Sequence, residues 1–481
     1  MKRINKLSFL FLVIHLCIFV GALNNVLTLV CTAIAFVVSI VIANESVKKK
    51  NSSTCVSIII LLCLQNFLIG LGAHLSKNTS ESLKILTQIP FMVILINWLF
   101  IQVYLIKHKT KRSPEKKYFI LLIAFMLLSL AFGRGEIQSI LINIRNMTIF
   151  FMGFEIGKTY LYSREKFELF IKKYNSILFV MLLAGLILMA GGYGLYSAIG
   201  INEGYIAKSD VGAVGVLNYR FFTTISNFRI MRMGSLYYEP VNLAYLYSIG
   251  FLVNLLYKPT IIKAKKATGI IISGLGLMLT FGKGGILIAA CAILFVCLYR
   301  SYSCLLERLG SNSIRRFAIL LVIMLASVFC VYAYNNISTS ANPHFWGIIR
   351  TWENVKVKPL GHGLGTGGNM AFALDSQKTA SFDSNNPWLS TGGESAIFAF
   401  MYQIGILGTV SLALCAICMS SGYKRCRNDI FMNTMKILPV IIIGVGILQE
   451  NTFTPQCIIP FMIFQGGSAR VFIDDEKEKA L

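Results

Sequence analysis

The stretch from Tyr334 to Glu394 reads YNNISTSANPHFWGIIRTWENVKVKPLGHGLGTGGNMAFALDSQKTASFDSNNPWLSTGGE, the longest interval of the chain without a membrane-length apolar run. Its first half predicts a short helix. Asn342 can cap it, and Pro343 suits the first helical position, where a missing N–H costs nothing. Phe345, Ile348, Ile349, Trp352 and Val355 recur at three- and four-residue spacing and share one face, while Arg350, Glu353 and Asn354 fall elsewhere. Pro359 and Gly361 end the helix. A helix of this kind lies flat at a membrane surface. The run GHGLGTGG follows from Gly361; its glycines let backbone approach a ligand closely and place His362 beside the helix end. An ordinary glycine-rich surface loop is the alternative reading.

On both sides of this stretch the chain is dominated by apolar runs. The 481 residues are 56% hydrophobic and 14% charged, whereas a soluble chain carries about 25% charged residues. Mean hydropathy is +0.68. The expected class is therefore an all-α polytopic membrane protein, with residues 1–481 forming a single membrane domain. Runs long enough to span lie near 7–23, 26–44, 53–73, 88–106, 118–133, 138–157, 175–199, 236–257, 268–282, 284–300, 317–334, 393–418, 433–450 and 454–468. That predicts about fourteen transmembrane helices. The pair 268–282 and 284–300 is short enough to be a hairpin that crosses only partly. Two long polar loops remain, 200–235 and 335–393, the second holding the amphipathic helix.

Lys and Arg set the orientation. Basic clusters sit at 2–6, 48–50, 107–117, 158–173, 258–266, 300–316, 424–436 and 470–479, and all fall on one side under this helix count. They hold 32 of the 45 Lys and Arg. The expectation is an even number of spans, both termini cytoplasmic and both long loops outside. The same asymmetry accounts for the net charge of +24, and its dispersal among membrane loops argues against a nucleic-acid partner. The first apolar run leads straight into the second without a small-residue cleavage site, so it reads as a retained span. Cysteines such as Cys63, Cys291, Cys330 and Cys426 sit in spans or cytoplasmic loops and none in the outer loops, so structural disulfides are not expected. Cys415 and Cys418 form a CxxC inside an apolar helix and read as packing residues rather than metal ligands.

Charges inside or beside spans are the functional candidates. Arg145 lies within LINIRNMTIF, and Glu136 is too far along the same helix to pair with it. It either pairs with another helix or faces a substrate cavity. The 200–235 loop contains RFFTTISNFRIMRMG, which places Arg220, Arg229 and Arg232 on the side where basic residues are normally scarce. The planar fork of Arg suits phosphate; pairing with outer-loop acids is the alternative. Glu239 and Pro240 then open a membrane helix, where Glu239 either touches substrate or serves the helix end. Lys283 lies between glycines in LTFGKGG, and Glu394 precedes the next span. Basic side chains at this boundary suit a diphosphate carried on a lipid, and the polar loops above suit a sugar chain. No paired-aspartate motif for magnesium appears, Asp375 and Asp383 being too far apart, and no phosphate-cradling loop for ATP is present. No metal and no cofactor is expected.

RMGSLYYEP entering a helix, the later TFGKGG turn, the outer loop with PLGHGLGTGG, and ES leading into a helix with GILG together resemble bacterial O-antigen and exopolysaccharide polymerases of the Wzy type, relatives of O-antigen ligases. The resemblance covers about 230–410 and the overall topology. It implies a glycosyltransferase that joins undecaprenyl-diphosphate-linked oligosaccharide repeat units at the outer face of the bacterial inner membrane, among membrane lipids and with a separate chain-length regulator as partner. Family members carry arginines in two large outer loops, sometimes as Arg, ten residues, then Gly; Arg350 to Gly361 fits, whereas Arg220, Arg229 and Arg232 do not. Arginines can stabilise the departing diphosphate without a metal. Candidate bases for the attacking hydroxyl are His362, Glu239 and Glu394; an outer-loop His also resembles the ligase branch. An O-antigen ligase acting on lipid A core, or a flippase for the lipid-linked oligosaccharide, are the competing functions.

Overall fold

Apolar segments become helices here because only a helix satisfies its own backbone without water. The computed structural model of the chain describes residues 6–78, 82–108, 114–207, 221–225, 228–259, 266–309, 343–368, 395–420 and 429–479. The first half forms α1 (Lys6–Gly21), α2 (Asn25–Lys49), α3 (Ser53–Ser76), the single turn α4 (Leu83–Leu86), α5 (Ile89–Lys107), α6 (Pro114–Ser129), α7 (Ile137–Tyr160), α8 (Arg164–Ala198) and α9 (Ile201–Ile206). The second half forms α10 (Pro240–Leu256), α11 (Lys266–Thr280), α12 (Lys283–Leu309), α13 (Pro343–Val357), α14 (Ala396–Met419), α15 (Ile430–Leu448) and α16 (Pro455–Lys479). Side-chain caps start several of them: Asn24 accepts from the Val26 N–H, and Asp429 accepts from Phe431 and Met432. Among the described residues, eight helices are long and apolar enough to cross a membrane, and α1, α10 and α11 are shorter apolar helices. The chain is thus a multi-pass helical bundle. Each predicted run meets a helix except 317–334, which lies outside the described residues.

Small residues set the closest helix contacts. Gly153 and Gly157 of α7 lie against Ile459, Met462 and Ile463 of α16, and Gly466 of α16 lies against the Phe154 backbone. Such positions let two helix backbones approach where lipid removes the hydrophobic drive for association. Facing away from the bundle, Val26, Leu29 and Val37 of α2 are more than half exposed, which suits contact with lipid. At one end of the bundle, two buried carboxylates are neutralised by neighbouring helices. Lys158 meets Glu115 at 2.9 Å and Lys116 meets Glu155 at 3.4 Å. Cys415 donates its thiol to the Glu115 carbonyl there, which makes it a packing residue.

One feature departs from an all-helical expectation. The 200–235 segment contains an antiparallel hairpin, β1 (Phe222–Ile225) with β2 (Phe228–Met231), where aromatic and β-branched residues favour strand. The helix α13 forms with Pro343 at its start, as expected, and of its predicted apolar stripe Ile348 and Val355 turn inward while Trp352 does not. Thr351 and Val355 are buried and Ile348 partly so, while Trp352 is 49% exposed. Helix α13 packs on α14 through the 348–351–355 stripe, so protein contact rather than the bilayer covers that side.

Candidate functional site

Helix α14 is broken at Gly405, whose φ of 72° and ψ of −177° suit only glycine. A break in a helix frees carbonyl and N–H groups that must find partners. The glycine run supplies them. The His362 N–H donates to the Tyr402 carbonyl at 2.8 Å, the Gly363 N–H to the Gln403 carbonyl at 3.1 Å, and Ile406 N–H to the Pro359 carbonyl at 3.0 Å. On its other side the run pairs with the α6–α7 connection, where Gly135 N–H donates to the Leu364 carbonyl at 2.8 Å. Gly363 has a φ of 104°, and a Cβ there would strike the backbone of Gly133. The run is therefore a buried wedge between two elements, not an ordinary surface loop.

One side chain ties the wedge together. The Gln403 Oε1 accepts from Gly365 N–H at 2.8 Å, and its Nε2 donates to Asn143 Oδ1 at 2.9 Å and to the Gly367 carbonyl at 3.1 Å. Ser139 of α7 donates to the Gly365 carbonyl at 2.8 Å. His362 sits on this frame with its ring stacked on Tyr402, centroids 4.3 Å apart and planes 5° from parallel. The ring also hydrogen-bonds the backbone of Asn354, while Nε2 is enclosed without a partner. A ring nitrogen bonded to a carbonyl must carry the proton, so the neutral ring presents its lone pair at Nε2. Burial lowers the His362 pKa first, and nearby Lys358 lowers it further against the opposing Asn354 bond.

A second group forms around the Thr280–Gly285 turn. Arg232 donates from Nε to the Thr280 carbonyl at 3.0 Å and from Nη2 to the Phe281 carbonyl at 3.2 Å. Phe281 itself has a φ of 47°, an uncommon conformation for a bulky side chain. Lys283 follows, exposed, at the start of α12. Gly282 and Gly285 of this turn abut Ala244 of α10, so the turn rests on the helix that Glu239 begins. Glu239 is buried, and Tyr205 donates its hydroxyl to Oε2 at 3.3 Å. It stands at the N-cap position of that helix without a side-chain capping hydrogen bond. Arg229 lies on β2 with its guanidinium 4.2 Å from the Phe222 ring centre.

The 3₁₀ turn Glu450–Phe453 joins the two groups. The Thr452 and Tyr245 hydroxyls are 2.9 Å apart, and Tyr245 in turn abuts Gly284. On the other side, Glu450 Oε1 lies 3.1 Å from where a Cβ on Gly368 would be. Stretches near 134, 232, 239, 283, 362 and 450 thus meet at one end of the bundle. Arg220 and Glu394 lie outside the described residues, and so does the side chain of Arg350, whose backbone is mid-α13. Sequence reading gave no role to Asn143, Gln403, Arg134 or Glu450. Polar residues inside the apolar runs of α7 and α14 were the only signal for the first two. Comparison with known protein families finds no matching family model, and no curated protein matches the chain.

Proposed function

We propose that this chain is a membrane glycosyltransferase that polymerises undecaprenyl-diphosphate-linked oligosaccharide repeat units into O-antigen or a related surface polysaccharide. In this reading it crosses the inner membrane about fourteen times, with both termini cytoplasmic and the site at the outer face. The observation that carries the reading is the meeting of a histidine-bearing glycine wedge with a basic turn, bridged by Glu450–Phe453, at one end of a lipid-facing bundle. Arg232, Lys283, Arg229, Arg220 and Arg350 supply positive charge for a diphosphate leaving group that gains charge as the anomeric bond breaks. The neutral His362 accepts the proton of the attacking sugar hydroxyl, with Glu239 and Glu394 as the other candidate bases. No step in this scheme needs a divalent metal.

Purified full-length protein, reconstituted with a lipid-linked repeat unit, is expected to build a ladder of longer glycans in the presence of chelator. Loss of the ladder in chelator with recovery on adding magnesium would overturn the metal-free scheme. Deleting the gene separates the functions: a core bearing one repeat unit marks a polymerase, bare core with lipid-linked chains accumulating marks a ligase, and loss of outward transport marks a flippase.

A further inference from the structure

The α6–α7 connection reads Phe132, Gly133, Arg134, Gly135, Glu136, and the wedge fixes both of its glycines. A Cβ on Gly133 would strike the His362 carbonyl, and one on Gly135 would strike the Gly365 carbonyl. Glycine is needed where backbones approach this closely. Between them, Arg134 and Leu364 form a short parallel bridge, held by the Gly135 N–H on the Leu364 carbonyl at 2.8 Å. One side chain thus stands between the two close approaches. It is an arginine, on backbone that pairs two residues along the wedge from His362.

Arg134 is exposed, so this close-packed backbone delivers a guanidinium to the surface rather than into the wedge. It also stands three residues before α7, at the positive end of that helix dipole. Glu136 is the acid next to it in sequence. It occupies the N-cap position of α7, is exposed, and makes no side-chain capping bond.

From this end of the bundle an apolar face runs toward the other. Helix α6 buries Phe119, Leu122 and Met126 and packs on α14. Its exposed Ile120 and Leu121 lie roughly two turns before exposed Leu127 and Leu128, so these four share the face turned away from α14. A lipid whose anionic head sits at Arg134 can direct its tail down this face, away from the end that holds the polar site.

We propose that Arg134 binds the diphosphate of the lipid-linked repeat unit beside His362, with the prenyl chain along the outward face of α6. This rests on the polymerase reading and adds a phosphate ligand from outside the two long loops. The fork of Arg bonds two phosphate oxygens, and the start of α7 favours the same charge.

The test offers undecaprenyl diphosphate, phosphatidylglycerol and undecaprenol to the full-length protein in detergent. Bound lipid is read by native mass spectrometry, and elongation is read on the lipid-linked repeat unit. Wild type is expected to retain undecaprenyl diphosphate in preference to the other two. Arg134→Ala is expected to weaken that binding and lower kcat/KM about tenfold or more. Its Tm is expected to stay unchanged, because the backbone bonds that hold the connection remain. Arg134→Lys is expected to recover part of both losses, and Arg134→Gln decides the matter if Arg134→Ala does not fold. A folded variant with wild-type binding and elongation overturns the site and leaves the polymerase reading intact. Equal retention of phosphatidylglycerol, which marks a general headgroup anchor, overturns it too. The same holds if Glu136→Gln loses as much as Arg134→Ala, which marks a surface pair between the two. Wild type that binds undecaprenyl diphosphate through Arg134 but builds no ladder overturns the polymerase reading and leaves a prenyl-diphosphate site. Wild type that retains no undecaprenyl diphosphate overturns the site whatever its elongation.

Discussion

His362 owes its character to three neighbours that no local sequence window contains together: the Tyr402 ring, the Asn354 backbone and Lys358. Burial favours the neutral imidazole and holds its pKa below the usual 6.5. If that ring is the base, elongation rises with pH through a midpoint below about 6.5. The same shift makes its contribution to stability complete above about 6.5 and lost as pH falls below that. A pH profile of elongation checks this, and a midpoint at or above 6.5 counts against His362. His362→Ala is expected to lower the rate by about 10²–10⁴-fold at unchanged protein level; full activity would move the role to Glu239 or Glu394. Arg350 makes a separate case. As a diphosphate ligand it needs its planar fork, so Arg350→Lys should lose most activity and Arg350→Ala more. An Arg350 engaged only in a helix-surface pair with Glu353 would be worth about 0.2–0.5 kcal/mol. In that event Glu353→Ala would match Arg350→Ala, and Arg350→Lys would be nearly silent. Polymer length at matched protein level separates the two.

Among the elements, the broken helix α14 and the glycine wedge behave as one unit. Neither is complete alone: the wedge fills the break at Gly405, and the break supplies carbonyls for an otherwise unpaired run of N–H groups. Gln403 closes the unit because its amide both accepts from Gly365 and donates to Asn143. Gln403→Ala strands a buried N–H and is expected to cost about 1–3 kcal/mol, read as a lower Tm in detergent, together with loss of elongation. An unchanged Tm would show that the wedge is held without it. The glycines of the wedge were visible in the sequence, and so was the helix before it. Their burial was not, because a glycine-rich string reads the same whether water or protein covers it. Which part of the α13 stripe is covered was hidden for a related reason. Periodicity names an apolar stripe, but α14 selects which part of the stripe it covers, and Trp352 is left out.

For the whole molecule, the basic-residue asymmetry predicts that reporters fused after Leu481 and within 340–390 lie on opposite sides of the membrane. Reporters on one side would reverse the proposed placement of the site. Composition and run length by themselves determined that this is a multi-pass helical membrane protein, since a chain this apolar can satisfy its backbone in lipid chiefly through helices. Local patterning also located the helix α13 and the glycine run after it, whose turn and cap chemistry is local. Only the tertiary structure decided that Asn143, Gly365 and Gln403 share one hydrogen-bond network, that Arg232 docks on the turn before Lys283, and that Glu450–Phe453 joins the two groups. It also decided that the Arg145 guanidinium meets the side-chain amides of Gln88 and Asn146. These residues lie tens to hundreds of positions apart. Their neighbours are set by which small-residue faces let helices approach, and that is a property of the packed bundle rather than of any one segment.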